Sequence, residues 1–236
     1  MELNLIDTRA DIVEELQRVH GIGPILANKL YDEGVRSIDE LLSHPDVSDG
    51  VKLCANYVDE LEKSISYNKA KRLITNYRET LRNQHPSLKH FDIIGVGGYR
   101  RLKKYVHDID ILVVSDTLTG RDIKIDGQLV SAGETKAVYI IKDKTHHILE
   151  VYLAKSHERG AALLHHTGPS VWNIVMRIHA RKRKMKLSQH GLVDENDKII
   201  ASKTEKEVMN ALDLRYVEPE HRGSEEIMHE LFGEGR

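Results

Sequence analysis

Two aspartates separated by one residue, Asp108 and Asp110, lie in the segment VHDIDILVV, where polar and apolar residues alternate before an apolar run. Successive side chains of a strand point to opposite faces, so both carboxylates share one face while Ile109, Ile111 and Val113 share the other. Paired carboxylates at one end of a buried strand suit a hard divalent cation such as Mg²⁺, which prefers oxygen ligands and keeps positions for water or phosphate oxygens. That combination serves metal-assisted phosphoryl transfer. An Asp-x-Asp by itself more often marks a turn, and the apolar strand around this one is what favours a site. Upstream, FDIIGVGGYRR puts Gly97 and Gly98 just after another strand. There, backbone amides can approach phosphates and Arg100 or Arg101 can reach a polyphosphate. Glu150 is the only acid in HILEVYL, and its neighbours are apolar or neutral. An unpaired acid in a buried strand is costly, which makes Glu150 the candidate third carboxylate.

A second kind of chemistry sits near the N-terminus. Val19-His20-Gly21-Ile22-Gly23, followed by Ala27, has the pattern of a helix-hairpin-helix. Its glycines, Gly21 and Gly23, let backbone amides and a helix N-terminus meet a DNA phosphate without reading bases. The densest basic run is RIHARKRKMK, residues 177–186, with six Lys and Arg and no acid. It contains Lys182 and Arg183 and is either a phosphate-binding stripe or a solvated helix face. The His pairs at 146–147 and 165–166 invite a metal reading, but adjacent residues of a strand point to opposite faces, which disfavours zinc.

The elements that must position these residues change in type along the chain. Thr8 is placed to cap a helix carrying Ile12, Val13, Leu16 and Val19, with Asp11 three residues on. Pro24 opens a second helix that Gly34 ends, and helical spacing continues to Leu81. From Phe91 the period shortens to strands, FDIIG, DIDILVV, KAVYII and HILEVYL, which predicts a mixed sheet. After Gly160 the pattern is helical again.

The chain has 236 residues, 40% hydrophobic and 31% charged, with no apolar run near the roughly 20 residues of a membrane span. Its start lacks the features of a secretory signal, and a lone Cys54 excludes an internal disulfide, so an intracellular location is expected. The formal net charge is -2, but residues 218–236 hold six acids against two arginines, which masks a mildly basic body.

Together these stretches resemble the family X DNA polymerases. VHGIGPILANKLYDEGVRSIDEL resembles the family's second helix-hairpin-helix, GGYRRLKKYVHDIDILV its nucleotide-binding and palm motif, HHTGPSVWNIVMR its dNTP-contacting turn and helix, and LRYVEPEHR its C-terminal signature. The likeness runs in order over nearly the whole chain and matches the family's short viral form, without a lyase domain. It implies that Asp108 and Asp110 bind two Mg²⁺ ions, replaceable by Mn²⁺, and that Glu150 completes the catalytic-metal site. Gly97, Gly98, Arg101 and His107 would hold the triphosphate. His165 and His166 would stand beside the sugar, with Thr167 and Gly168 as the turn beneath it. Asn173 and Arg177, four apart on one helix face, would touch the minor-groove side of the nascent pair. Backbone carbonyls of Gln17, Val19 and Ile22 would hold a monovalent cation, Na⁺ or K⁺, bridging to a primer phosphate. The family's cis peptide in this turn is easier to form at Gly168-Pro169, since proline lowers its cost to about 0.5 to 1 kcal/mol.

The chain departs from the family at the third acid, where Glu150 replaces Asp, and two residues earlier, where Ile148 replaces Arg. Gly98 stands for the Ser of the Gly-Ser motif and His165-His166 for an aromatic pair. The resemblance implies an α+β protein in three parts: a helix-hairpin-helix DNA-binding domain over 1–88, a nucleotidyltransferase palm with a mixed sheet over 89–162, and a small C-terminal α/β subdomain contacting dNTP over 163–236. The expected activity is template-directed DNA synthesis at short gaps in repair, by a monomer acting on gapped or nicked DNA and dNTP, with no membrane partner. A catalytically impaired DNA-end-binding protein and a nucleotidyltransferase with a non-DNA acceptor are the alternatives, and the hairpin argues against the latter.

Overall fold

The computed structural model describes residues 8–86 and 92–233; Phe91, the expected boundary at 88–89 and Glu234 of the acidic tail lie outside them. Five short helices come first: α1 (Arg9–Gln17), α2 (Pro24–Asp32), α3 (Ile38–Ser43), α4 (Asp49–Ala55) and α5 (Val58–Leu61). Thr8 caps α1 by reciprocal bonds with Asp11, as its spacing suggested. The helical reading to Leu81 is interrupted by β1 (Ile65–Ser66), after which α6 runs over Tyr67–Gln84. Ile65 is buried and pairs with Val106, and Ser66 accepts from the Lys69 amide to cap α6, so two residues leave the helical path.

The central elements are β2 (Asp92–Gly95), α7 (Gly97–Arg100), β3 (Tyr105–Val106), β4 (Ile109–Val114), β5 (Gln128–Ala132), β6 (Lys136–Asp143) and β7 (Thr145–Ala154). The sheet order is β2-β4-β7-β6-β5, with β4 and β7 parallel and the other neighbours antiparallel. This is the expected mixed sheet. The C-terminal part holds α8 (Arg159–Thr167), α9 (Ser170–Lys182), a small antiparallel sheet of β8 (Lys186–Ser188), β9 (Gly191–Val193) and β10 (Ile199–Ala201), then α10 (Glu205–Ala211) and α11 (Glu225–Phe232).

The sheet's two faces are covered differently. On one, α6 lays Ala70, Leu73, Ile74 and Leu81, a single helical stripe, over Ile109, Ile111, Val113, Leu149 and Val151. Each such buried Leu or Ile contributes roughly 1.5 to 3 kcal/mol. Although its periodicity placed α6 with the N-terminal helices, it shares its core with the sheet. The other face is divided. The helices α1 to α5 pack on Val138, Ile140 and Ile148 at one end, and α8 packs on Leu112, Val114 and Ala154 at the other. A fourth core joins Trp172, Met176 and Ala180 of α9 to Val208, Met209 and Leu212. No helix among the described residues is long and apolar enough to cross a membrane.

His146 and His147 point to opposite sides of β7, as alternation requires. His146 Nδ1 lies 2.8 Å from Glu60 of α5, while His147 Nε2 lies 2.9 Å from Lys69 Nζ of α6. They stitch the strand to both neighbouring layers.

Candidate active site

The acids stand on β4 and β7 between the residues on which the two bodies pack. Parallel pairing sets Asp110 of β4 directly beside Glu150 of β7, and Asp108 precedes β4 by one residue. Burial pushes Asp110 up to about 7, with the charges of Glu150 and Asp108 adding to the effect. Asp108 is raised by burial and then by Glu150.

Glu150 behaves in the opposite way. Sequence reasoning left it unpaired, whereas Lys136 Nζ stands 2.7 Å from its Oε1, His20 Nε2 3.4 Å from the same oxygen, and the Tyr152 hydroxyl donates to Oε2. Burial alone would raise it, but His20, Lys136 and Tyr152 together hold it near 2. The missed partner follows from register: Val138 of β6 faces Glu150 and Lys136 faces Tyr152, so Lys136 lies diagonally across on the acid's own face.

The turn from β2 into α7 is built on close backbone approach. Gly97 adopts φ +58°, and any side chain there would run into the Asp110 carboxylate. A Cβ at Gly98 would stand 2.9 Å from Val106 Cγ1, so the expected serine has no room unless Val106 shifts. The Arg101 guanidinium donates to the Thr167 carbonyl, and its buried Nε has no partner. Arg100 is taken up by the C-terminal part. It gives 2.6 Å to Thr167 Oγ1 and two bonds, 2.8 and 2.7 Å, to Glu205, which Arg222 also holds at 2.8 Å. Glu205 and Arg222 were not singled out from the sequence beyond Arg222's place in LRYVEPEHR, because charge gives no advance notice of burial.

At the turn between α8 and α9 the Gly168-Pro169 peptide is cis, as the sequence suggested. His166 stacks on Tyr152 with centroids 3.9 Å apart and meets His165 edge-on at 4.8 Å. Burial pushes His166 down to about 3 and lowers His165 as well, so both are neutral imidazoles near pH 7. Asn173 and Arg177 come together on His165: Asn173 Nδ2 donates 2.7 Å to its carbonyl, and Arg177 reaches its Nδ1 at 3.1 Å. His107 is exposed near Asp108.

In the hairpin, Val19 and Ile22 are buried, Gly21 takes φ +96°, and Gly23 caps α2 with both glycines exposed. The Val19 carbonyl accepts from Ile22 N at 3.0 Å. In the basic run, Arg183 is 3.5 Å from Asp213, and Arg181, Lys184 and Lys186 are exposed.

All three acids are hard oxygen donors, and the aspartates, raised first by burial and then by neighbouring acids, fit a hard divalent cation that would favour their ionised forms. Among the described residues no three His, Cys, Asp or Glu side chains form a ready coordination group. Glu150 is engaged by its three donors.

Comparison with known proteins bears on this arrangement. The fold is similar to that of Leishmania infantum polymerase beta in its ternary P/T complex, with a TM-score of 0.74, 21% identity, and coverage of 92% of this chain and 99% of that one. The DNA polymerase beta thumb family matches residues 162–223, and the family described as the fingers domain of DNA polymerase lambda matches residues 14–62. Repair DNA polymerase X from a Malawi tick isolate of African swine fever virus is 32% identical over 142 residues, 56% of this chain and 81% of the viral one. The chain belongs to the family X DNA polymerases. DNA polymerase IV of Saccharomyces cerevisiae is 39% identical over a shorter stretch of 77 residues, 33% of this chain and 13% of the yeast one. In this family X chain the fingers match ends at residue 62, where the core shared by α1 to α5 also ends. Ile148, where the resemblance expects arginine, is buried in that core and helps seat the fingers on the sheet.

Proposed function

We propose that this family X chain is a template-directed DNA polymerase of repair that fills short gaps, joining dNMP to a primer 3'-OH. The observation that carries the reading is the in-register pair Asp110 and Glu150, with Asp108, on the two parallel strands that run between the hairpin body and α8. The 3'-oxygen forms a bond to the α-phosphorus as the bond to the bridging oxygen breaks, pyrophosphate leaves with the electron pair, and the hydroxyl proton passes to solvent. Asp108 and Asp110, joined by Glu150, would hold Mg²⁺, which supplies positive charge that eases loss of the 3'-OH proton and offsets charge on the leaving group.

The chain's own residues do the positioning. Arg101, with donors left beyond its bond to Thr167, holds the triphosphate near Gly98. The flat His166–Tyr152 stack walls the nucleotide turn. Amides at Gly21 and Gly23 meet a primer phosphate, and a Na⁺ or K⁺ ion on the carbonyls of Gln17, Val19 and Ile22 would add to that contact. The Val19 carbonyl keeps one lone pair for it beyond the Ile22 bond. The test is extension of a one-nucleotide-gapped duplex by the complementary dNTP with Mg²⁺, read as product length and pyrophosphate release. No extension with Mg²⁺ or with Mn²⁺ overturns the reading.

A further inference from the structure

Two nitrogen-bearing side chains from distant parts of the chain converge on one oxygen of Glu150: the His20 imidazole from the hairpin and the Lys136 ammonium from β6. Both lie nearer solvent than the acid they hold. Side-chain exposure is 40% for Lys136 and 28% for His20 against 10% for Glu150, so both partners are more accessible to an incoming anion than the acid they hold. His20 also sits in the turn between buried Val19 and exposed Gly21, so a strand whose phosphate rests on the hairpin amides carries its charge past His20. We propose that His20 and Lys136 form a binding site for the terminal phosphodiester of the primer strand, which the Glu150 carboxylate fills when no DNA is bound. This deepens the polymerase reading and rests on it.

The chemistry is an exchange of anions. A phosphodiester and a carboxylate both present oxygens to an ammonium and an imidazole N–H, and the exposed parts of Lys136 and His20 are what an incoming phosphodiester would meet. Once it takes Lys136 and His20, Glu150 keeps only the Tyr152 hydroxyl on Oε2, and Oε1 is released on the face it shares with Asp110. The third acid thus becomes a free ligand only when a primer end is seated. An empty enzyme keeps it tied, and a simple strand-to-strand ion pair would not depend on DNA in this way.

The experiment measures Mn²⁺ affinity and DNA affinity in the full chain without chemistry, using gapped DNA with a dideoxy-terminated primer. The terminal linkage is either a phosphodiester or an uncharged methylphosphonate. In the unaltered protein, the phosphodiester primer should tighten Mn²⁺ binding roughly tenfold, the scale of one charge-assisted contact, and the methylphosphonate primer should lose that gain. In Lys136→Met and in His20→Gln, Mn²⁺ should bind the DNA-free protein more tightly, and the two primers should behave alike. Lys136→Arg should restore the difference. His20→Gln, on an accessible turn, carries the test if Lys136→Met does not fold. The proposal is overturned if the methylphosphonate costs the variants as much as the unaltered protein, or if DNA-free Mn²⁺ affinity is unchanged while only thermal stability falls. Failure of the polymerase reading looks different: the unaltered protein then extends no primer, whatever its Mn²⁺ affinity.

Discussion

Asp110 makes no ion pair among the described residues, and burial together with Glu150 and Asp108 raises its carboxyl to about 7, so a positive charge brought from outside the chain would favour its ionised form. Replacing it with alanine should abolish single-turnover nucleotide addition while gapped-DNA affinity, measured by anisotropy, stays within about twofold, because phosphate contacts lie elsewhere. Retained addition would remove Asp110 from the chemistry. Gly97→Ala is a second test on the same carboxylate. The new methyl must displace it from a backbone already at φ +58°, so addition should fall at least roughly tenfold and stability by about 1 to 2 kcal/mol. Normal rates in that variant would show that the carboxylate has slack. At this scale the sequence was informative where chemistry and alternation coincide: Asp108 and Asp110 stand out because two acids interrupt an apolar strand. The donors on Glu150 were not legible. Lys136 reaches it through strand register and His20 through the docking of a separate body, and neither is a spacing along the chain.

Among the elements, the one-turn helix α7 is held from outside. Arg100 at its end, Glu205 at the start of α10 and buried Arg222 form an ion triad that also grips Thr167. Removing the central acid leaves two desolvated guanidinium groups without a counter-charge, a change that typically costs about 3 to 5 kcal/mol. Glu205→Gln should therefore lower the urea midpoint by an amount of that order and weaken dNTP binding through the loosened Thr167 turn. If stability falls but dNTP affinity does not, the triad only braces the fold. Helices and strands with a clean period were readable in advance, including the Thr8 cap and the four main strands. The two-residue strand β1 was not, since Ile65 and Ser66 fit the surrounding helical spacing and leave it only because Val106 offers a partner. The allegiance of α6 was hidden for a related reason: an amphipathic stripe declares that it will be buried, but not against what.

For the molecule as a whole, buried neutral histidines tie stability to acidity. Burial and the neighbouring Lys69 charge push His147 down to about 4, against an ordinary value near 6.5. The unfolded chain then binds a proton in that window and the folded one does not, so stability is complete above about pH 6.5 and is lost as pH falls toward 4. Between pH 7 and 5 this residue should account for roughly 2 kcal/mol of the decline in urea-unfolding free energy. His166, lowered to about 3, adds to the slope in the same direction. His147→Gln should flatten the profile, and an unchanged slope would place the sensitivity elsewhere. The parallel pairing of β4 with β7 has a kinetic consequence. Asp110 and Glu150 become neighbours only after a loop of about 40 residues closes, an entropy cost met before any contact between them is gained. The hairpin body must then dock for His20 to arrive. A refolding chain followed by pulse-labelled amide exchange should therefore protect α6 and the β6–β7 hairpin first and the β4–β7 ladder later. The cluster of like charges is assembled last, on a scaffold already stable enough to bear its repulsion.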